Sequence, residues 1–137
     1  MDVRTKPLWL RLFNASAPIA FFGTVYLPPG LRERLEREDP ERLQDILDHE
    51  AIHVARQRGR GMLAWHWRYA LLRSFRWREE MAAYHSSLSR LRARGLTLGA
   101  AERDGLARAL SGWKYLFMTT RARARRFVDR CLDGPRA

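Results

Sequence analysis

Residues 39–59 read DPERLQDILDHEAIHVARQRG, a stretch that has the start, the apolar spacing and the end of an amphipathic helix. Asp39 is a typical N-cap residue, and Pro40 suits the first position of a helix because the N–H that it lacks would have no partner there. Apolar side chains recur at helical spacing through the segment, and Gly59 is typical of a helix end. The sequence therefore predicts an amphipathic helix from Pro40 to about Arg58.

This predicted helix contains a complete HExxH motif at residues 49–53. His49 and His53 are four residues apart, so both imidazoles lie on one helix face and can bind a single metal ion. Glu50 lies one step around the helix, where it can act as a general base on a metal-bound water without binding the metal. The alternative is an ordinary amphipathic helix with two histidines at the margin of its apolar face.

The rest of the chain predicts an α+β fold that is mainly helical. Residues 18–27 are rich in aromatic and β-branched residues, which favours a strand or a strand pair bent at Gly23. We expect one domain in the 137 residues, with a core at 18–94 and a helical C-terminal extension at 95–137. Apolar spacing and turn residues predict further helices at 31–38, 62–75, 76–94, 100–110 and 121–132, the last of them capped by Thr120.

The charge balance suggests polyanion binding but does not favour it as the main function. The net charge is +11, with 24 arginines and two lysines. Residues 121–126 could contact phosphates, yet the arginines are spread along the chain and many fall on polar helix faces. Nucleic acid is therefore kept as an alternative partner and is not favoured.

Targeting features predict a cytoplasmic protein that does not associate with membranes. No apolar run approaches the roughly 20 residues of a membrane span. The N-terminus lacks the pattern of a secretory signal, and the single cysteine, Cys131, has no partner for an internal disulfide.

A catalytic zinc normally takes three protein ligands and leaves one position for water, so the motif needs a third ligand. The zinc-protease class with the longer HExxHxxGxxH motif is excluded, because Arg56 and Gly59 occupy the positions of its glycine and third histidine. A carboxylate from a second helix would complete a His₂Glu site. The alternative to a ligand role for Glu79 and Glu80 is that both are solvent-exposed residues of a helix face. The candidates are Glu79, Glu80, His66 and His85.

Three segments resemble the gluzincins, the HExxH zinc peptidases whose third ligand is a downstream glutamate. They are TVYLPP at 24–29, the HExxH motif followed by Gln57, and EMAAY at 80–84. Together they are similar to the catalytic core of CAAX-prenyl-protease-like families and to short bacterial and phage-borne metallopeptidase domains. The resemblance covers about residues 18–90 and implies a minimal zincin-like fold with one Zn²⁺ held by His49, His53 and Glu80. Tyr84 departs from the pattern, since the prenyl-protease-like families place Asp there.

The expectation that follows is a zinc metalloendopeptidase acting on a peptide or protein substrate. Glu50 would take a proton from the attacking water and later give it to the leaving amine. We expect the strand around residues 21–27 to be the edge to which the substrate backbone adds. The candidates for stabilising the oxyanion are His66, Tyr84 and Tyr115.

Two alternatives of other classes remain open at this point. One is a non-catalytic structural or binding protein with a zincin fold, for example a phage or virion component. Its zinc site would be closed by a fourth ligand from His66, His85 or Cys131. The other is a basic, helical nucleic-acid-binding protein in which HExxH is accidental.

Overall fold

The computed structural model describes residues 1–11 and 16–134 and is an α+β fold, mainly helical, as predicted. Its strands are β1 (Asp2–Thr5), β2 (Ile19–Phe21) and β3 (Thr24–Leu27). Its helices are α1 (Leu8–Arg11), α2 (Leu31–Glu38), α3 (Pro40–Gly59), α4 (Met62–Leu71), α5 (Arg73–Ala93), α6 (Ala100–Ser111) and α7 (Arg121–Asp133), with a 3₁₀ turn at Trp113–Tyr115. None of the described helices is both long and apolar enough to cross a membrane.

The chain forms two compact units, one of residues 1–67 and one that begins at Arg68. The division falls inside α4, whereas the sequence predicted a core at 18–94 followed by an extension. The single domain expected from chain length stays a prediction.

The three-stranded sheet of the first unit has the order β1-β3-β2. The strand pair bent at Gly23 is confirmed, because β2 and β3 pair antiparallel around that residue. The expectation that residues 21–27 form a sheet edge is wrong for β3, which is the central strand and also pairs in parallel with β1. The sequence did not predict β1, whose four residues DVRT are too short and polar to show a strand pattern. Within the described sheet, β2 is the outer strand on that side.

The turn between β2 and β3 is held by side chains of α3 and α4. Phe22 and Gly23 both have positive φ angles, 46° and 76°, as the two central residues of a type I′ hairpin turn require. The ring of Phe22 stacks on His66 at a centroid distance of 4.4 Å. The Gly23 N–H donates to Gln57 Oε1 at 3.0 Å, and Gln57 Nε2 donates to the Ala20 carbonyl at 2.9 Å. The hairpin is thereby fastened to the motif helix.

Helix α3 has the bounds and the cap that its sequence predicts. The Asp39 carboxylate accepts the Arg42 N–H at 3.0 Å, and the helix runs from Pro40 to Gly59. Its buried apolar residues, Leu43 and Val54, belong to one core cluster with side chains of β2, β3 and α2. This packing fixes which face of α3 turns away from the core.

The second unit is built around α5, α6 and α7. The expected helices at 62–75 and 76–94 are present, but their boundary lies earlier, because α4 ends at Leu71 and α5 begins at Arg73. The predicted cap of the last helix is confirmed, since Thr120 Oγ1 accepts the Arg123 N–H at 3.3 Å. The shared core of these helices contains Trp77, Leu88, Ala107, Leu110, Ala124 and Val128.

Candidate metal centre

Helix α3 presents His49, Glu50 and His53 within a little more than one turn. The rings of His49 and His53 lie 5.2 Å apart between centroids, as expected for residues four apart on one helix face. His53 is buried and its ring meets Trp65 edge-on at 6.1 Å, while His49 is half-buried. Glu50 is only 7% exposed. The motif therefore lies at the margin of the packed core.

Glu80, on α5, joins the two histidines in one group. One ligand atom from each of His49, His53 and Glu80 lies within 4.8 Å of the other two. Donors that bind one zinc at about 2.0–2.2 Å must lie within roughly twice that distance of each other, so the group is nearly as compact as a single ion requires. Two imidazoles and a carboxylate are also donors that suit a divalent transition metal. The three residues could therefore hold a metal ion.

Glu79, the other carboxylate that the sequence left open, is not a member of this group. Its side chain is completely buried, and Glu80 is 3% exposed. Neither glutamate solvates a helix face, so that alternative is wrong for both. Since neighbouring residues on a helix point about 100° apart, only one of the pair is oriented toward the histidines.

Among the described residues, the group has three members. The other candidate ligands, His66, His85 and Cys131, lie outside it. His66 belongs to the hairpin, because its Nδ1 lies 2.7 Å from the Met62 carbonyl and its Nε2 faces the Phe22 N–H at 3.4 Å. His85 is exposed on α5. Cys131 lies in the helical core, where burial raises the pKa of its thiol. In the described part of the chain, none of these three residues joins the metal group as a fourth ligand.

Tyr69, which the sequence did not single out, contacts the Glu80 carboxylate. Its hydroxyl donates a hydrogen bond to Glu80 Oε1. The Arg76 guanidinium, 3% exposed, lies 5.7 Å from the Tyr69 ring centroid and donates to the Tyr69 and Ala70 carbonyls at the end of α4. Because Tyr69 and Glu80 lie on successive helices, no local spacing relates them, and only their packing shows the contact.

Two of the predicted oxyanion candidates form a pair near the same carboxylate. The hydroxyls of Tyr84 and Tyr115 lie 3.0 Å apart. Burial raises the pKa of Tyr115 well above its usual value, and the neighbouring Tyr84 and the charge of Glu80 raise it further. Tyr115 therefore keeps its phenolic proton at neutral pH and remains a hydrogen-bond donor.

Lys6 is a buried cation that the sequence did not mark as part of any site. Its side chain is 1% exposed, and its ammonium donates to the Ala17 carbonyl. Burial lowers the pKa of Lys6, and the negative charge of Glu50 partly counteracts that effect. A lysine near a polar N-terminus carries no local sign of burial, so the sequence offered no means of finding it.

No family model matches this chain, and neither does any curated protein or solved structure. The gluzincin resemblance therefore depends on the quoted segments alone and stays a prediction.

Proposed function

We propose that this protein is a zinc-dependent metallopeptidase in which His49, His53 and Glu80 hold one Zn²⁺. The observation that carries the proposal is the compactness of these three donors, within 4.8 Å, beside the buried Glu50 of the same helix. Two histidines and one glutamate are typical of catalytic zinc in peptidases, where three protein ligands leave a position open for water. When bound, zinc would acidify a water molecule and polarise the scissile carbonyl.

Side chains of the protein provide proton transfer, orientation of the ligands and stabilisation of the oxyanion. Glu50 takes the proton of the attacking water and returns it to the leaving amine. The rigid packing of α3 fixes the two imidazoles, and the Tyr69 hydroxyl orients the Glu80 carboxylate. Tyr84 and Tyr115 are the remaining candidates for donating to the oxyanion, because the two ring nitrogens of His66 already face partners of the hairpin.

The substrate backbone adds to β2 in this proposal, as an extra antiparallel or parallel strand. β2 is the outer strand of the described sheet, and both sides of β3 are paired. Gln57 fastens the end of this hairpin to α3, four residues beyond His53. A peptide bound along β2 would thus be held by the same helix that presents the histidines.

The first experiment measures the metal content of the purified chain by elemental analysis, without added zinc. We expect about one zinc in the wild type and in Glu79→Gln, and loss of zinc in Glu80→Gln. The two variants remove the same charge from adjacent buried positions, so each is the control for the other. Zinc lost from Glu79→Gln and kept by Glu80→Gln would assign the third ligand to Glu79. No zinc in the wild type, even after reconstitution, would overturn the proposal.

The catalytic role is tested with Glu50→Gln on the zinc-loaded protein and a diverse peptide library. The variant should keep its zinc and lose cleavage by roughly 10²- to 10⁴-fold, because the amide cannot accept the proton. Cleavage at the wild-type rate would show that Glu50 is not the base. A zinc-loaded wild type that cleaves no library peptide would favour the non-catalytic alternative.

A further inference from the structure

The second unit contains a groove at the starts of α5 and α7, separate from any residue of the metal group. It is a cavity of about 680 Å³. Three arginines line it, Arg73, Arg78 and Arg123, and the described lining contains no carboxylate. The lining therefore carries only positive charge.

These three arginines have no acidic partner among the residues that the structure describes. Arg73, Arg78 and Arg123 are all exposed and form no ion pair with any residue in the described ranges. The guanidinium of Arg123 lies 5.1 Å from the Trp77 ring centroid, so a cation–π contact holds it at the groove. Arginine is well suited to phosphate because its planar fork can donate two parallel hydrogen bonds.

The backbone at the start of α5 adds hydrogen-bond donors to the same groove. This 21-residue helix has Leu72 at its N-cap and no side-chain cap. The first N–H groups of a helix have no partner inside it, and the helix dipole makes that end favourable for an anion. Arg73 and Ser74, in the first turn, both line the groove, and the turn contains no acidic residue.

An independent observation comes from Thr119, which lines the groove just before α7. It is 8% exposed, and its Oγ1 has no hydrogen-bond partner among the residues that the structure describes. A buried hydroxyl without a partner is costly, and such groups are usually satisfied by a ligand, an ion or water. The oxygen itself has almost no solvent-accessible surface, so a small rotation of the side chain toward the groove would let it donate to an acceptor oxygen bound there.

We propose that this groove is a binding site for a phosphate group, either free or as the monoester head of a lipid. The arginines supply the charge, the start of α5 supplies backbone donors, and Thr119 supplies a buried hydroxyl. Leu71 and Leu72, 70% and 50% exposed at the rim, give a lipid an apolar surface to contact. The site is independent of the metallopeptidase proposal.

The test titrates the metal-free chain with inorganic phosphate by calorimetry, so that no bound metal contributes to the signal. Arg78→Gln/Arg123→Gln should weaken phosphate binding by on the order of tenfold or more. The control is Arg34→Gln/Arg37→Gln on α2, which removes the same charge from exposed arginines outside the groove. The control should bind like the wild type. Equal weakening in both variants would overturn the site, because only overall charge would then matter.

A third variant separates binding from folding. Thr119→Val keeps the shape of the side chain and removes the hydroxyl. We expect phosphate affinity to fall about threefold to tenfold while the melting temperature stays the same or rises, since an unpartnered buried hydroxyl is lost. Unchanged affinity would contradict the role of Thr119.

Flotation with phosphatidylcholine vesicles, with and without phosphatidic acid, distinguishes the two sources of phosphate. Groove-dependent binding to phosphatidic acid vesicles without binding of inorganic phosphate would assign the lipid head group. Binding of inorganic phosphate alone would assign the free ion. Binding of neither probe by the wild type would overturn the proposal.

Discussion

Two polar clusters of this protein differ in how their charges are balanced. One is the arginine–aspartate network of α6 and α7, and the other is the metal group of His49, His53 and Glu80. In the network, Arg103 donates to Asp129 at 3.0 Å and to the two Asp133 oxygens at 2.9 and 2.8 Å. Each cation is matched by an anion of the same chain. Such a network can stabilise the fold with no ligand present.

The metal group instead consists of electron-pair donors, two imidazoles and a carboxylate within 4.8 Å of one another. Donors gathered in this way are stabilised when a cation binds them, and the binding free energy adds to the stability of the fold. The two clusters should therefore respond differently to zinc. The stability that the arginine–aspartate network provides should not depend on zinc, whereas the stability that the metal group provides should.

The largest expected effect is the stabilisation of the wild type by zinc. At a free zinc concentration about 1,000 times its Kd, the free energy of unfolding should rise by roughly 4 kcal/mol. His53→Ala should show no such rise, because it removes one of three ligands. Urea unfolding with and without zinc measures both, with Arg103→Ala as a control that keeps the full rise. A comparable rise in His53→Ala would place the zinc at another site.

The next largest effect concerns Tyr69, whose hydroxyl contacts Glu80. Tyr69→Phe should weaken zinc affinity by about 10- to 100-fold, because the ligand carboxylate loses the group that orients it. Competition with a chromophoric chelator measures the affinity, and the visible spectrum of the Co²⁺ form reports any change in ligand geometry. Tyr26→Phe, on β3, is the matched control. A variant with lower stability but unchanged affinity and spectrum would show that the contact is only structural.

A smaller effect is expected from Arg103→Ala in the network. The side chain of Arg103 is 13% exposed, and its loss removes a cation that Asp129 and Asp133 share. We expect a decrease of about 1–2 kcal/mol in the free energy of unfolding, the same with and without zinc. Arg108→Ala, at an exposed pair with Asp104, should lower the free energy of unfolding less than Arg103→Ala does. A zinc-dependent loss in Arg103→Ala would contradict the distinction between the clusters.

The smallest effect is the dependence of the network on pH. Burial alone would raise the pKa of Asp129, but hydrogen bonds from Arg103 and Arg125 outweigh it, and the pKa is lowered. A carboxyl with a lowered folded pKa contributes stability that is present above its unfolded pKa of about 3.9 and is lost as the pH falls through the folded value. The stability difference between wild type and Arg103→Ala should therefore be constant above about pH 5 and shrink below pH 4. Urea unfolding across this range checks it, and a difference that grows in acid would contradict the assignment.

The arginines show how far composition alone can mislead. Within residues 121–126, the segment most suggestive of phosphate binding, Arg121 pairs with Asp104 and Arg125 pairs with Asp129, and Arg123 lines the groove. Arg78 and Arg123 have no ion-pair partner among the described residues, come from two helices far apart in sequence, and both line the groove. Which arginines form ion pairs depends on which helix faces pack together. The number of charged residues does not predict this.

Residues 39–59 could be interpreted correctly because their structure depends on near neighbours. The Asp39 cap, the bounds of α3 and the common face of His49 and His53 follow from hydrogen bonds and spacing within a few residues. The same holds for the hairpin bend at Gly23 and for the Thr120 cap of α7.

Only the tertiary structure decided the features that join distant residues. It selected Glu80 rather than Glu79 as the carboxylate beside the histidines, made β3 a central strand, and buried Lys6. Each of these depends on contacts between segments that are tens of residues apart, where packing in three dimensions chooses among arrangements that local spacing leaves equally acceptable.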